Sequence, residues 1–144
     1  MSNHQNWKYG NLLLRISLGG FLALWGIDKL VASDDTVKIF SHFYKLPIGT
    51  SIVWIIGWLE ILLGLSIGIG FKRKYSYLIG LIVHLISTVS SWKQLLDPWG
   101  KYLIDGKNSH LFLASIPVLA TFIVLYFNRE DGTYTLDARL EKNS

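Results

Sequence analysis

"GWLEILLGLSIGIG", residues 57–70, sets one carboxylate, Glu60, inside a run of apolar residues, glycines and a single serine. The run extends outward to about residues 48–71, a block of the ~20 residues that cross the hydrocarbon of a bilayer. Blocks of the same kind occupy about residues 11–31, 75–96 and 109–128. A soluble domain of 144 residues has too little interior for a composition that is 51% hydrophobic and 17% charged. The apolar residues also fall in blocks rather than amphipathic stripes. The expected fold is an all-α integral membrane protein, an antiparallel bundle of four transmembrane helices. Residues 1–10 form a cytoplasmic N-terminal segment, 11–128 the transmembrane domain and 129–144 a cytoplasmic tail, polar and exposed. The N-terminal "MSNHQNWKYG" lacks the pattern of a cleaved leader, so the first block reads as a retained helix.

The links sharpen this arrangement. "KRKY" between the second and third blocks is so short that those helices must be antiparallel neighbours. "ASDDTVKIFSHFYKLP" spaces Val37, Phe40, Phe43 and Tyr44 as one helical face, which predicts a short amphipathic helix on the membrane surface between helices one and two, with Pro47 opening the second span. "DPWGKYLIDGKN" carries the turn signals Asp97-Pro98 and Asp105-Gly106. The dense cations Lys72, Arg73 and Lys74 mark a cytoplasmic loop; with four spans both termini share that side of a bacterial-type inner membrane, and Lys8, Arg129, Arg139 and Lys142 agree. Trp25, Trp54, Trp92 and Trp99 then gather at the outer ends as an interfacial belt.

Each span carries small and polar residues three or four apart, hence on one face. These are Arg15, Gly19, Leu22, Gly26 and Lys29 on the first, and Gly57, Glu60, Gly64 and Gly68 on the second. They are Gly80, His84, Ser87 and Ser91 on the third, and His110, Ala114, Pro117 and Thr121 on the fourth. Such faces are expected to meet inside the bundle. Counted from the short link, Glu60 and His84 lie at nearly equal depth. That makes them a candidate proton-handling pair, with Arg15 in reach, since ionisable groups inside a membrane are costly and tend to be functional. The plain alternative is interhelical packing. Trp25, Asp28, Lys29, Trp54, Trp92, Asp97 and His110 form a candidate ligand-binding cluster at the outer end, with Asp28 and Lys29 expected to pair with Asp97 or His110. The plain alternative there is an interface belt with loop ion pairs.

Other chemistries find little support. The chain has no cysteine, which removes disulfides, iron–sulfur clusters, zinc thiolates and the small quinone-linked enzymes that use a cysteine pair. His84 is alone at mid-depth, so a bis-histidine haem has no second ligand, and no metal-ligand spacing is recognised. The net charge of +4 is spread over loops and tails; it suits anionic lipid head groups and not nucleic acid.

"LLLRISLGGFLALWGIDKL" (12–30) and "GWLEILLGLSIGIGF" (57–71), together with His84 and "DPWG" (97–100), resemble the DoxX-like membrane proteins over about residues 11–128. The matching positions are Arg15, Gly26, Lys29, Gly57, Glu60, Gly64 and His84. The resemblance implies a four-helix inner-membrane protein; the family takes its name from a small subunit linked to thiosulfate:quinone oxidoreduction and a terminal oxidase. The expected function is an accessory subunit of a respiratory or other membrane redox complex, with a quinone or proton-handling site at Glu60 and His84. It reads more as a non-catalytic subunit than as a stand-alone enzyme. Expected partners are membrane lipids and other subunits or further copies of the chain; the expected ligand is a quinone or a lipid, with no cofactor held covalently. The alternatives are a purely structural scaffold subunit in a lipid-facing position and a small proton-coupled transporter.

Overall fold

In hydrocarbon, an apolar segment must satisfy its backbone groups internally, and a helix does so within one segment. Helix is the regular structure found among the described residues. The structure, a computed structural model, describes residues 3–104, 106 and 108–143, with side chains from Trp7 onward. Residues 1, 2, 105, 107 and 144 lie outside the described residues, and with them the Asp105 half of the expected Asp105-Gly106 turn.

Helix α1 spans Asn3–Val31 without a break, so the polar N-terminal residues continue the first span instead of preceding it. Helix α2 (Ser33–Ile39) runs into one π-helical turn, Phe40–Tyr44, so the long link is helical. It ends at Lys45 in the left-handed region, φ 57°. Phe43 lies 5.6 Å from Phe112, ring to ring, which ties the link to the start of the fourth block. Helix α3 is Thr50–Ile69 with Gly49 as its N-cap, so Pro47 stays in the approach and does not open the helix. Its end is a Schellman turn: Gly70, at φ 69°, donates to Ile67 O and Phe71 N donates to Ser66 O.

The third block is not one helix. Helix α4 spans Arg73–Ser90, the chain breaks at Ser91, and α5 covers Trp92–Leu96. Hydroxyls cluster at the break: Ser90 Oγ donates to Ser87 O at 2.8 Å, and Ser91 Oγ to Thr88 O at 3.0 Å. Such side-chain bonds compete with helical ones. The fourth block opens as a 3₁₀ turn, His110–Ala114, before α6 (Ser115–Phe127). Pro117 explains the switch, since proline has no N–H and its ring clashes with the carbonyl four residues back, so it is accommodated in the first turn of the α-helix. By length and composition, Trp7–Val31, Thr50–Ile69 and His110–Phe127 are able to cross a membrane. A third or less of each of these apolar windows is buried. The outside is correspondingly covered with large apolar side chains, as a lipid-facing surface is.

The four main helices close a ring: α1 packs on α3, α3 on α4, α4 on α6, and α6 back on α1. Leu18, Leu22, Ile67, Tyr77, Phe122 and Leu125 form the core. The stripes of α1 and α3 do meet. A methyl placed on Gly19 lies 2.5 Å from Gly64 O, and one on Gly26 lies 2.6 Å from Gly57 O. Only glycine allows the two backbones this approach. In the third block, Gly80, His84 and Ser91 turn inward, but Ser87 is exposed and Thr88 takes the buried position. In the fourth block the expected stripe fails: His110, Ala114 and Pro117 are exposed, while Phe122 and Leu125 are buried. In that helix it is bulk, not polarity, that fills the core.

The polar tail is not a loose end. After a turn at 128–135 it forms α7 (Leu136–Lys142), N-capped by Thr135, whose side chain accepts from Ala138 N. Asp137 accepts from Lys72 N at 2.8 Å and Arg73 N at 3.0 Å, filling open N–H positions at the start of α4. Asp137 N donates to Gly70 O at 3.3 Å. Arg73 donates to Arg129 O at 2.8 Å and Asn11 to Asp131 at 3.3 Å. One segment therefore binds α1, α3, α4 and α6 together at the "KRK" end.

Candidate functional site

The α1–α3 seam builds the first element of the site. Side chains on a helix lean toward its N-terminus. Lys29, near the C-terminal end of α1, therefore leans down the seam; Glu60, midway along antiparallel α3, leans up it. They meet: Lys29 Nζ is 2.6 Å from Glu60 Oε2, with the side chains 14% and 10% exposed. Lys29 Nζ also lies 5.6 Å from the centre of the Trp25 ring, a cation–π contact on the same helix. Two charges that are each costly inside a membrane neutralise one another.

This corrects the expected Glu60–His84 pair. His84 is buried on α4 and faces α1 and α6. Its Nε2 lies 3.1 Å from Ser115 O, which fits a protonated Nε2 donating to that carbonyl. Its ring sits 5.6 Å from Phe21, edge-on, and 5.5 Å from Phe122, stacked at 30°. Counting from the link gives an expected depth for each residue but not the direction it faces around its helix. Phe21 also meets Trp25 at 6.2 Å, so an aromatic path joins His84 to the Lys29 end of the seam.

Arg15 reaches neither. It is 1% exposed, and its Nη2 donates to Tyr134 O at 3.0 Å, across to the C-terminal segment. Among the described residues no carboxylate pairs with it. Gly70 makes room for it: a methyl there lies 2.5 Å from Arg15 Nη1. Tyr134 presents its carbonyl from the left-handed region, φ 57°.

The outer cluster does not form one site. Asp97 is 2% exposed and is occupied by its own loop, accepting from Lys101 N at 2.9 Å and from Tyr102 N and Leu103 N at 2.7 Å each. Burial pushes its carboxyl up, but the N–H groups of Leu103, Tyr102 and Lys101 outweigh that and hold it at about 2. The expected pairing of Asp97 with Asp28 or Lys29 is thus replaced by a loop knot. His110 packs edge-on to Trp99, ring centres 5.7 Å apart. Asp28, Trp25, Trp54 and Trp92 are exposed. Trp54 lines a shallow groove with Thr50, Ser51 and Ile55 at the start of α3. Among the described residues, no three His, Asp or Glu side chains gather as metal ligands would.

The glycine-matched helices, the charge inside their seam and the apolar exterior are what a family comparison meets. A model of the DoxX family matches residues 10–91, more than half of the chain. The chain belongs to the DoxX family. No curated protein and no solved structure matches it. The DoxX match covers Arg15, Gly26, Lys29, Gly57, Glu60, Gly64 and His84. It ends before Asp97–Gly100 and α6, so the resemblance expected over about 11–128 is shorter on its C-terminal side. As a DoxX protein with helices of this length and apolarity, the chain is a membrane protein.

The C-terminal lock is what sequence reasoning missed. Its signals were present: Thr135 three residues before Ala138 as a helix cap, and Asp137 as an acid in a first turn. Nothing in a linear sequence says that such a short polar helix docks.

Proposed function

We propose that this DoxX protein is a four-span accessory subunit of a membrane redox complex, held in a bacterial-type inner membrane with both termini on the cytoplasmic side. The Lys29–Glu60 bridge is the observation that carries this reading. A carboxylate neutralised by an ammonium on the neighbouring helix of the same chain holds two spans in one register. A small body of this kind suits a part that fits beside others better than one that turns over alone.

The fourth span is α4. Its 18 residues give a length of ~27 Å, close to the hydrocarbon thickness of about 30 Å. It follows α3 after a three-residue turn at 70–72 and packs between α3 and α6. The cations at Lys72, Arg73 and Lys74 support the cytoplasmic assignment of that end. The quinone or proton part of the role rests on two places: the Lys29–Glu60 pair, within which one proton moving from ammonium to carboxylate cancels both charges, and His84 with its aromatic path through Phe21 to Trp25.

The deciding experiment is purification from the native membrane in mild detergent, with identification of whatever accompanies the chain in fixed stoichiometry. A redox complex is the expected result, and Glu60→Gln then lowers quinone-linked turnover with assembly intact. A chain that elutes alone overturns the proposal. The scaffold reading is favoured by the same bridge. Normal turnover after joint replacement, Lys29→Met with Glu60→Leu, decides for it.

A further inference from the structure

A cleft of about 600 Å³ opens between the start of α1 and the C-terminal lock. Lys8 and Tyr9 line it from α1, Thr133 and Tyr134 from the turn, and Arg139 and Lys142 from α7. We propose that it is a binding site for the phosphate ester of an anionic glycerophospholipid. This goes beyond the accessory role and rests, from the proposed function, on the cytoplasmic placing of the "KRK" end alone.

The volume is that of a small-molecule site. The lining includes three cations from two separate helices and no carboxylate. Arg139 and Lys142 alone would be ordinary cations in a last helical turn; Lys8, from the other end of the chain, makes the set converge. Of the nearby acids, Asp131 accepts from Thr133 and Asn11 and feels the charge of Lys8 without bonding to it, and Asp137 accepts from Lys72 and Arg73. Among the described residues none of the three cations forms an ion pair. Arginine and lysine are the side chains that hold phosphate, one as a fork and one as a point charge. Tyr9 and Tyr134 stack at 6.1 Å along one wall.

Depth selects a lipid over a solute. The apolar run of α1 begins after Asn11, so Lys8 and Tyr9, about one turn before it, stand where hydrocarbon gives way to head groups. The cleft lies on the side of the "KRK" turn, the side on which a membrane presents its anionic leaflet.

The test uses the full chain in non-ionic detergent, titrated with short-chain phosphatidylglycerol, phosphatidylcholine and free glycerol phosphate, and read by native mass spectrometry. One phosphatidylglycerol is expected to bind in preference to phosphatidylcholine. The joint variant Lys8→Gln, Arg139→Gln, Lys142→Gln should weaken it by at least about tenfold. Lys8→Arg, Arg139→Lys, Lys142→Arg should retain it. Lys74→Gln, on the same side but outside the cleft, should leave it unchanged. Circular dichroism melting of each variant separates lost binding from lost folding; if the glutamine variant melts early, the three single substitutions must each weaken binding. Equal binding of phosphatidylcholine, equal loss on Lys74→Gln, or undiminished binding by folded glutamine variants overturns the site. Free glycerol phosphate binding as tightly as the lipid overturns the lipid assignment in favour of a soluble phosphate ester.

Discussion

Glu60 and Lys29 are each tolerable only because of the other. Removing either partner leaves one charge in low-dielectric surroundings, at up to roughly 3 kcal/mol on the insertion scale. The two single losses should differ. Lysine, near the end of α1, can straighten toward the head groups; Glu60, midway along α3, has too short a side chain to escape. Lys29→Met is therefore expected to destabilise more than Glu60→Leu, and the joint replacement less than the sum of the two. Thermal melting of the four proteins in detergent, read as a double-mutant cycle, measures this. Asp97 illustrates a carboxylate with a different job. Its carboxyl is held at about 2 in the fold against an ordinary 3.8. A lowered value means stability that is complete above the ordinary pKa and lost as pH falls through the folded one. The loop should stay closed to about pH 3.8 and open as pH approaches 2. Asp97→Asn should speed amide exchange at Lys101, Tyr102 and Leu103 at neutral pH, with the four main helices still protected.

The α1–α3 pair is defined by glycines opposed in antiparallel register, Gly19 to Gly64 and Gly26 to Gly57. Gly64→Ala sets its new methyl 2.5 Å from Gly19 O, a backbone atom that cannot swing aside. The two helices must part, at about 1–3 kcal/mol for an overpacked contact. Gly20→Ala is the contrasting change, since nothing lies within 4 Å of its added methyl; its stability should stay the same or rise by up to about 1 kcal/mol, as alanine is the better helix former. Melting temperatures of the two variants give the comparison. These glycines were readable in the sequence because a small-residue stripe has one cause, close backbone approach. The α6 stripe was misread because small and polar residues there follow from a different cause, the 3₁₀ opening before Pro117. The third block hid its break for a similar reason: Ser90 and Ser91 look harmless in an apolar count but rebond the backbone.

At the level of the molecule, hydropathy blocks and the short "KRKY" link revealed the helical class and the antiparallel placing of α3 and α4. They could not reveal which way His84 or Glu60 faces, because depth follows from counting along an axis whereas facing depends on all the neighbours at once. They also could not reveal the docked C-terminus, whose bonds join Asp137 to Lys72 and Arg73 across more than sixty positions. That lock carries its own pH signature. Burial raises the Asp137 carboxyl, the N–H groups of Arg73 and Lys72 and the Arg73 side chain lower it further, and the net value is below the ordinary one. Its contribution is present above the ordinary carboxylate pKa and fades as acid brings the pH through the lowered value. Asp137→Ala is expected to cost about 1–3 kcal/mol, the loss of a charged acceptor with its donors left open. Limited proteolysis after residue 128 should accelerate in that variant, and in the native chain only under acid.

The same lock imposes an order in time. Residues 129–137 are made after all four main helices, so α1, α3 and α4 leave the ribosome before the strap that gathers their ends. Until those last residues arrive, Arg15 has no Tyr134 carbonyl to hold it and the first turn of α4 is open. The bundle must therefore pass through an early stage, loosely joined at the "KRK" end, and becomes a closed body as the strap docks.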